Sequence, residues 1–340
     1  MPSSVTMQKV TVIVAGSWGT ALASVLASNH PDVYIWTRNE NQAHEINEHH
    51  TNKKYLPNQA LPTNIRATTN MEEALKNTRL ALFVVPSSAM RAVAKLAAPY
   101  LEKETIVVHA TKGFEPESLK RMSLVLAEEL NRPISDIGVL SGPSHAEEVI
   151  QKQPTTVVVA SENKIVAEQA QVILMNNFFR VYTNHDVIGI EVAGALKNII
   201  ALAAGLINGL KFGDNAKAAL LTRGLAEISR LGTAMGASPM TFIGLAGVGD
   251  LVVTATSPHS RNWRAGFMLA SGKSLEEVLE QMGMVVEGIK TTRAAFQLAQ
   301  KYHIEMPITE QLYEVLFNHK PINEAVDGLM RRDRTYEINK

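Results

Sequence analysis

The spacing of apolar positions divides the chain into two stretches of different period. In the first, short apolar runs alternate with helical segments. Val10-Thr11-Val12-Ile13-Val14 is continuous and largely β-branched, as a strand covered on both faces requires. Gly16-Ser17-Trp18-Gly19 follows, Thr20 to Ser28 has helical periodicity, and Asn29-His30-Pro31-Asp32 ends it before a second strand at Val33-Tyr34-Ile35-Trp36. Further strands are predicted at Leu80 to Val85, Ile106 to Ala110, Ile137 to Leu140 and Thr156 to Ala160, with helices between them at Pro116 to Leu130 and Asn163 to Met175. Such alternation predicts a mainly parallel, doubly wound sheet.

From about Asp186 the strand signal fades. Ile188 to Leu210, Ala216 to Met235, Trp263 to Ser271, Leu275 to Met282, Ile289 to Lys301 and Ile308 to Phe317 read as helices separated by Gly-, Pro- and Ser-rich turns. The expected fold is α/β, an N-terminal Rossmann-like sheet in residues 1–187 followed by an all-α domain in residues 188–340. A length of 340 residues suits two domains.

Composition narrows the function. Lys plus Arg and Asp plus Glu are 33 each, so bulk positive charge for coating a nucleic acid is lacking and no nucleic-acid partner is expected. There are no cysteines, which excludes a disulfide scaffold, a thiol nucleophile and Cys-ligated metal centres and suits a reducing compartment. The run Val10 to Ala15 is too short for a signal segment. The longest apolar stretch, near Ile199 to Leu206, falls short of the ~20 residues that span a bilayer. A cytoplasmic protein without a membrane span is expected. The ten histidines show no metal-ligand spacing, and no Ser sits in a nucleophile elbow. No metal and no covalent nucleophile are expected.

The turn Val14-Ala15-Gly16-Ser17-Trp18-Gly19 between a strand and a helix matches a phosphate cradle, where small residues let the backbone approach a pyrophosphate at a helix N-terminus. The full fingerprint has Gly at the position of Val14. An ordinary βα turn is the alternative. After the second strand comes Trp36-Thr37-Arg38-Asn39, with no acid for an unmodified ribose. Arg38 either pairs with a 2′-phosphate, which points to NADPH, or is a solvated surface charge.

Five further segments carry candidate chemistry. Lys112 follows the strand ending at Ala110, and Ser141-Gly142-Pro143-Ser144-His145-Ala146 follows the strand ending at Leu140. Lys197 has Ala193, Gly194, Ile200 and Ala201 at helical neighbour positions, with no carboxylate among them. It either snorkels to the surface or is buried with a lowered pKa, suited to general acid–base work. Gly244 to Gly249 lead to Asp250, which either orients Lys197 or caps a helix. Ser260 is an expected N-cap, with Arg261 and Asn262 in the first turn. Backbone N–H groups, helix dipole and guanidinium together form an anion site for a substrate phosphate.

In Gly16-Ser17-Trp18-Gly19-Thr20-Ala21-Leu22-Ala23, Val85-Pro86-Ser87, Ala110-Thr111-Lys112-Gly113, Leu140 to Ser144, Ala195-Leu196-Lys197-Asn198, Gly247 to Leu251, Ser260-Arg261-Asn262 and Val285-Val286-Glu287-Gly288, the chain resembles the bacterial NAD(P)-dependent glycerol-3-phosphate dehydrogenase family. Val14 departs from that family's Gly. The resemblance implies reversible reduction of dihydroxyacetone phosphate to sn-glycerol 3-phosphate, for phospholipid synthesis, with NADPH or NADH. It implies Lys197 as proton donor, Asp250 as its support, and Lys112 orienting substrate and nicotinamide. It implies substrate contacts from Gly142, Ser144, Ser260, Arg261 and Asn262. Cofactor contacts would come from Gly16, Ser17, Trp18, Gly19, Arg38, Lys112, Ala146, Arg261, Val285 and Glu287. Its second half, rich in long apolar helices, leads to an expected homodimer. Rival readings are another dehydrogenase with a helical second domain, acting on a sugar acid or acyl-CoA, and a nucleotide sensor that binds NADPH without turnover.

Overall fold

The computed structural model describes residues 9–334, 336 and 337. The expected domain spans, from residue 1 and to residue 340, run past these at both ends. Ten strands are present among the described residues: β1 Lys9–Ile13, β2 Val33–Trp36, β3 Thr51–Asn52, β4 Leu56–Ala60, β5 Ile65–Thr68, β6 Thr78–Phe83, β7 Ile106–His109, β8 Ile137–Ser141, β9 Thr155–Ala160 and β10 Phe179–Asn184. The helices of the first half are α1 Ser17–Ala27, α2 Glu40–His44, α3 Met71–Leu75, α4 Met90–Ala97, α5 Met122–Leu130, α6 Ala146–Ile150 and α7 Lys164–Leu174. Those of the second are α8 Val187–Gly209, α9 Asp214–Ala234, α10 Asp250–Thr256, α11 Arg261–Ala270, α12 Leu275–Met282, α13 Glu287–Tyr302, α14 Pro307–Phe317 and α15 Ile322–Met330.

Eight strands form one sheet in the order β10-β9-β8-β7-β6-β1-β2-β5. All neighbours are parallel except β8 and β9. Both faces are covered, so β1 places Val10 and Val12 in one apolar cluster and Ile13 in the other. The chain runs outward from β1 through β2 to β5, then returns to β6 on the other side of β1. That reversal opens a crevice beyond the carboxyl ends of β1 and β6. The β3–β4 hairpin stands apart from the sheet.

The second half wraps around α8, which is 94% buried in its most apolar window although it is long and apolar enough to cross a membrane. Its neighbour α11 lies very close. A Cβ on Gly205 would sit 1.9 Å from the Trp263 carbonyl, and one on Gly266 would sit 2.0 Å from that of Leu202. Only glycine permits this approach.

Several boundaries differ from the sequence expectation. The helix expected from Pro116 begins at Met122. The preceding segment instead closes a loop through a bridge between Phe114 and Arg121, with Leu119 at φ 59°. Edge strands β5 and β10 carry no continuous apolar run, because their outward residues face solvent. Helix α10 is masked in the sequence by the glycines that precede it.

Candidate active site

A cavity of ≈ 470 Å³ occupies the crevice. Residues after β1, β6, β7 and β8 form one wall, and α8, α10, α11 and the segment entering α13 form the other. Each sheet residue arrives there because parallel strands all release their following loops at the same sheet edge.

At the β1–α1 turn Val14 adopts φ 84°, a conformation natural to glycine and strained for a β-branched residue. The tight turn expected of Gly is therefore kept with Val in its place. A Cβ on Gly19 would lie 2.1 Å from the Val14 carbonyl oxygen, whereas one on Gly16 would meet nothing within 4 Å. Gly19 is thus required by the turn, and Gly16 leaves open space beside the helix. Helix α1 has no side-chain cap, so its first N–H groups remain for an anion. The buried Trp18 indole Nε1 also lacks a partner. These unpaired donors beside a glycine opening fit the phosphates of a dinucleotide.

Lys197 is 5% exposed and lines the cavity. Its Nζ donates to Asp250 Oδ1 at 2.5 Å and to Thr254 Oγ1 at 2.6 Å. Lys112 Nζ donates to the other oxygen, Asp250 Oδ2, at 2.6 Å and to the Gly142 carbonyl at 3.2 Å. One buried carboxylate thus holds both ammonium groups. Burial lowers the Lys197 pKa to about 7, with the Lys112 charge acting the same way and Asp250 opposing. For Asp250, burial favours the neutral acid, but the two lysines prevail and hold it below its ordinary value. Asp250 opens α10 while Gly249 is its cap, so Asp250 is not the capping residue that the sequence left open.

At the other end Ser260 caps α11, its Oγ accepting from the Trp263 N–H at 3.3 Å. Asn262 donates to Asn198 Oδ1 and accepts from the Gly288 N–H, each at 2.8 Å. Arg261 donates to the Val285 carbonyl at 3.2 Å. Glu287 accepts from Ser87 Oγ at 2.9 Å across the crevice, and burial raises its pKa. Ser144 Oγ donates to the Gly142 carbonyl at 2.9 Å.

Gly16, Ser17, Trp18, Gly19, Lys112, Ser144, Ala146, Lys197, Ser260, Arg261, Asn262, Val285 and Glu287 all line the cavity. Gly142 and Asp250 sit behind it, reached through Lys112. Arg38 is exposed, two residues past β2, and does not line it. The sequence reading missed Thr254, Lys54, Tyr55, His145, His259 and Arg264, which do. Thr254 lies one helical turn after Asp250, a spacing legible only once α10 is known to be a helix. Lys54 and Tyr55 come from the hairpin, where no strong strand signal marks them.

A model of the NAD-dependent glycerol-3-phosphate dehydrogenase N-terminus matches residues 9–167, and one of the C-terminus matches residues 186–327. The chain is 56% identical over 333 residues to a glycerol-3-phosphate dehydrogenase [NAD(P)+] of Bacillus subtilis, covering 98% of this chain and 96% of that one. It is 58% identical over 327 residues to the corresponding protein of Enterococcus faecalis, covering 96% of each. Among solved structures, a glycerol-3-phosphate dehydrogenase from Coxiella burnetii superimposes with a TM-score of 0.91 at 39% identity, covering 96% of this chain and 99% of that one.

Proposed function

The chain belongs to the NAD-dependent glycerol-3-phosphate dehydrogenase family, and we propose that within it Lys197 is the proton donor, with Asp250 and Lys112 as its setting. Its reaction is the reversible reduction of dihydroxyacetone phosphate to sn-glycerol 3-phosphate with NAD(P)H, for glycerophospholipid synthesis. When bound, the nicotinamide supplies the hydride to C2.

The protein has three tasks left. It must hold a phosphate dianion, exclude water and move one proton. Lys197 gives its proton to the C2 oxygen as the carbonyl becomes an alcohol, and takes it back in the reverse direction. Asp250 keeps the Lys197 and Lys112 ammonium groups side by side, so that positive charge faces the oxygen where negative charge develops. Ser144, Ser260, Arg261 and Asn262 hold the substrate, Arg261 and the α11 N-terminus meeting its phosphate, and Gly142 serves it from behind, its carbonyl accepting from Lys112 and Ser144. Gly16 to Gly19 and the α1 N-terminus take the pyrophosphate. Ala146, Val285, Glu287 and Arg261 hold the dinucleotide further along the crevice, with Lys112 at the nicotinamide. Arg38, free in solvent beyond β2, takes the 2′-phosphate of NADPH.

The observation that carries this reading is a buried ammonium on the cavity wall, fixed by Asp250 and Thr254. Steady-state assay of Lys197→Ala with dihydroxyacetone phosphate tests it. Turnover should fall by at least ~10² while NADPH still binds. Near-normal turnover would remove Lys197 from the mechanism. The compartment we propose is the cytoplasm, in line with a chain free of cysteine. The proposed assembly is a homodimer. Because α8 buries its apolar face internally, the support for self-association is the exposed trio Met240, Ile243 and Val252.

A further inference from the structure

The loop that carries Lys112 starts beside one carboxylate on the helix that carries Lys197 and is tied to that carboxylate where it ends. The loop leaves β7 at His109 and returns at Arg121, closed by the Phe114–Arg121 bridge. Glu191 on α8 is 5% exposed. Its Oε1 accepts the Ser123 N–H at 2.8 Å and its Oε2 accepts the Ser123 hydroxyl at 2.6 Å. The Arg121 guanidinium donates to Oε2 as well. His109, fully buried, brings Nε2 to 3.1 Å from Oε1, off the line of a hydrogen bond.

Three local facts make this contact more than packing. First, α5 begins with Arg121 at its cap position and no capping side chain. The carboxylate from α8 supplies the missing acceptor and the favourable charge at that N-terminus. Second, Glu191 and Lys197 lie on the same helix six residues apart, with Gly194 between them. A Cβ on Gly194 would lie 3.0 Å from Ser141 Oγ and 3.6 Å from Lys112 Cγ, so the helix passes directly against the Lys112 stem. Third, a buried ion pair adds little net stability but strongly penalises loss of one partner. Burial favours the neutral form of Glu191, yet the close approach of His109 and the Arg121 and Ser123 donors hold its pKa below the ordinary carboxylate value, so the clamp is charged.

We propose that Glu191 is a positioning residue for the reductase reaction: it sets the register of the Lys112 loop against α8, so that Lys112 and Lys197 reach the two oxygens of Asp250 at once. This rests on the roles assigned above to Lys112 and Lys197. A misplacement of about 1 Å in such a site costs on the order of 10²-fold in rate.

The test is Glu191→Gln, which keeps the shape but turns an amide N–H₂ toward the Arg121 and Ser123 donors. Amide hydrogen exchange across residues 110–121, measured without substrate, should speed up. The kcat/KM for dihydroxyacetone phosphate should fall roughly tenfold to a hundredfold. The groups facing Lys197 are Asp250, Lys112, Thr254 and His145. With Lys112 displaced, Lys197 loses a like charge and keeps Asp250 to itself. The alkaline limb of kcat should therefore move to higher pH, which a merely less stable protein would not do. The proposal is overturned if either the loop amides or that limb stay as in the wild type. Should Glu191→Gln not fold, Ser123→Ala removes one donor and must show the same changes, smaller, for the proposal to stand. Wild-type protein inactive on dihydroxyacetone phosphate would instead sink the functional reading, and the exchange result would still judge the clamp.

Discussion

At the scale of the residue, one lysine links burial to pH. Lys197 near pH 7 is balanced between ammonium and amine. Reduction needs the ammonium. The rate of dihydroxyacetone phosphate reduction at saturation should fall about tenfold per pH unit above about 7. Oxidation of glycerol 3-phosphate needs the amine and should rise through the same range. Asp250→Asn removes the opposing charge, lowers the Lys197 pKa further and should shift both limbs to lower pH. Parallel limbs in the two directions would rule out Lys197 as the titrating acid and base. The sequence showed this lysine as isolated because the i±4 rule sees only its own helix. Its carboxylate lies 53 positions away on α10, and no spacing rule reaches that far.

At the scale of the element, the β1–α1 turn shows what a single departure from a motif does. Val14 takes the glycine conformation at φ 84°, a cost on the order of 1–3 kcal/mol that the surrounding structure must sustain. Two anchors hold it: the Val14 N–H donates to Trp36 at 2.9 Å, and the Ala15 carbonyl accepts from Gln42 at 2.7 Å and Asn52 at 3.0 Å. The Val14 carbonyl then points at Gly19. Gly19→Ala places a methyl where only 2.1 Å is free, so the turn must open. NADPH affinity, read by fluorescence titration, should weaken about tenfold, the loss of roughly 1.4 kcal/mol. Unchanged affinity would mean that the cradle is not where the dinucleotide phosphates bind. Elements such as β1 and β7 were legible because burial on both faces demands continuous apolar runs. The edge strands β5 and β10 were not, since half of each faces solvent and its alternation is only a few residues long. The site was legible where chemistry sits in short motifs, as at Ser260-Arg261-Asn262. It was illegible at Lys54 and Tyr55, which the hairpin brings over from outside the sheet.

At the scale of the whole molecule, balanced charge conceals a local arrangement. Lys and Arg equal Asp and Glu in number, yet Lys54, Lys112, Lys197, Arg261 and Arg264 all border one cavity. That concentration requires two halves of the chain to meet, because Lys54 and Lys112 come from the first and the others from the second. The halves also share apolar interior. Val139, Val158 and Ala160 of the sheet form one cluster with Val187, Ile190 and Ala246, and Phe114 belongs to the core around α8. Charged contacts cross the same boundary at Glu191, Asp250 and Glu287. Neither half can unfold without exposing apolar surface and stranding buried charges of the other, each a penalty of several kcal/mol. Calorimetry should therefore record one endotherm for both halves, with calorimetric and van't Hoff enthalpies in agreement. NADPH should raise that single transition as a unit, since its proposed site spans both halves. Two resolved endotherms, only one of them moved by NADPH, would show that the sheet and the helices are held together by connection alone, and that the crevice between them is not a fixed site.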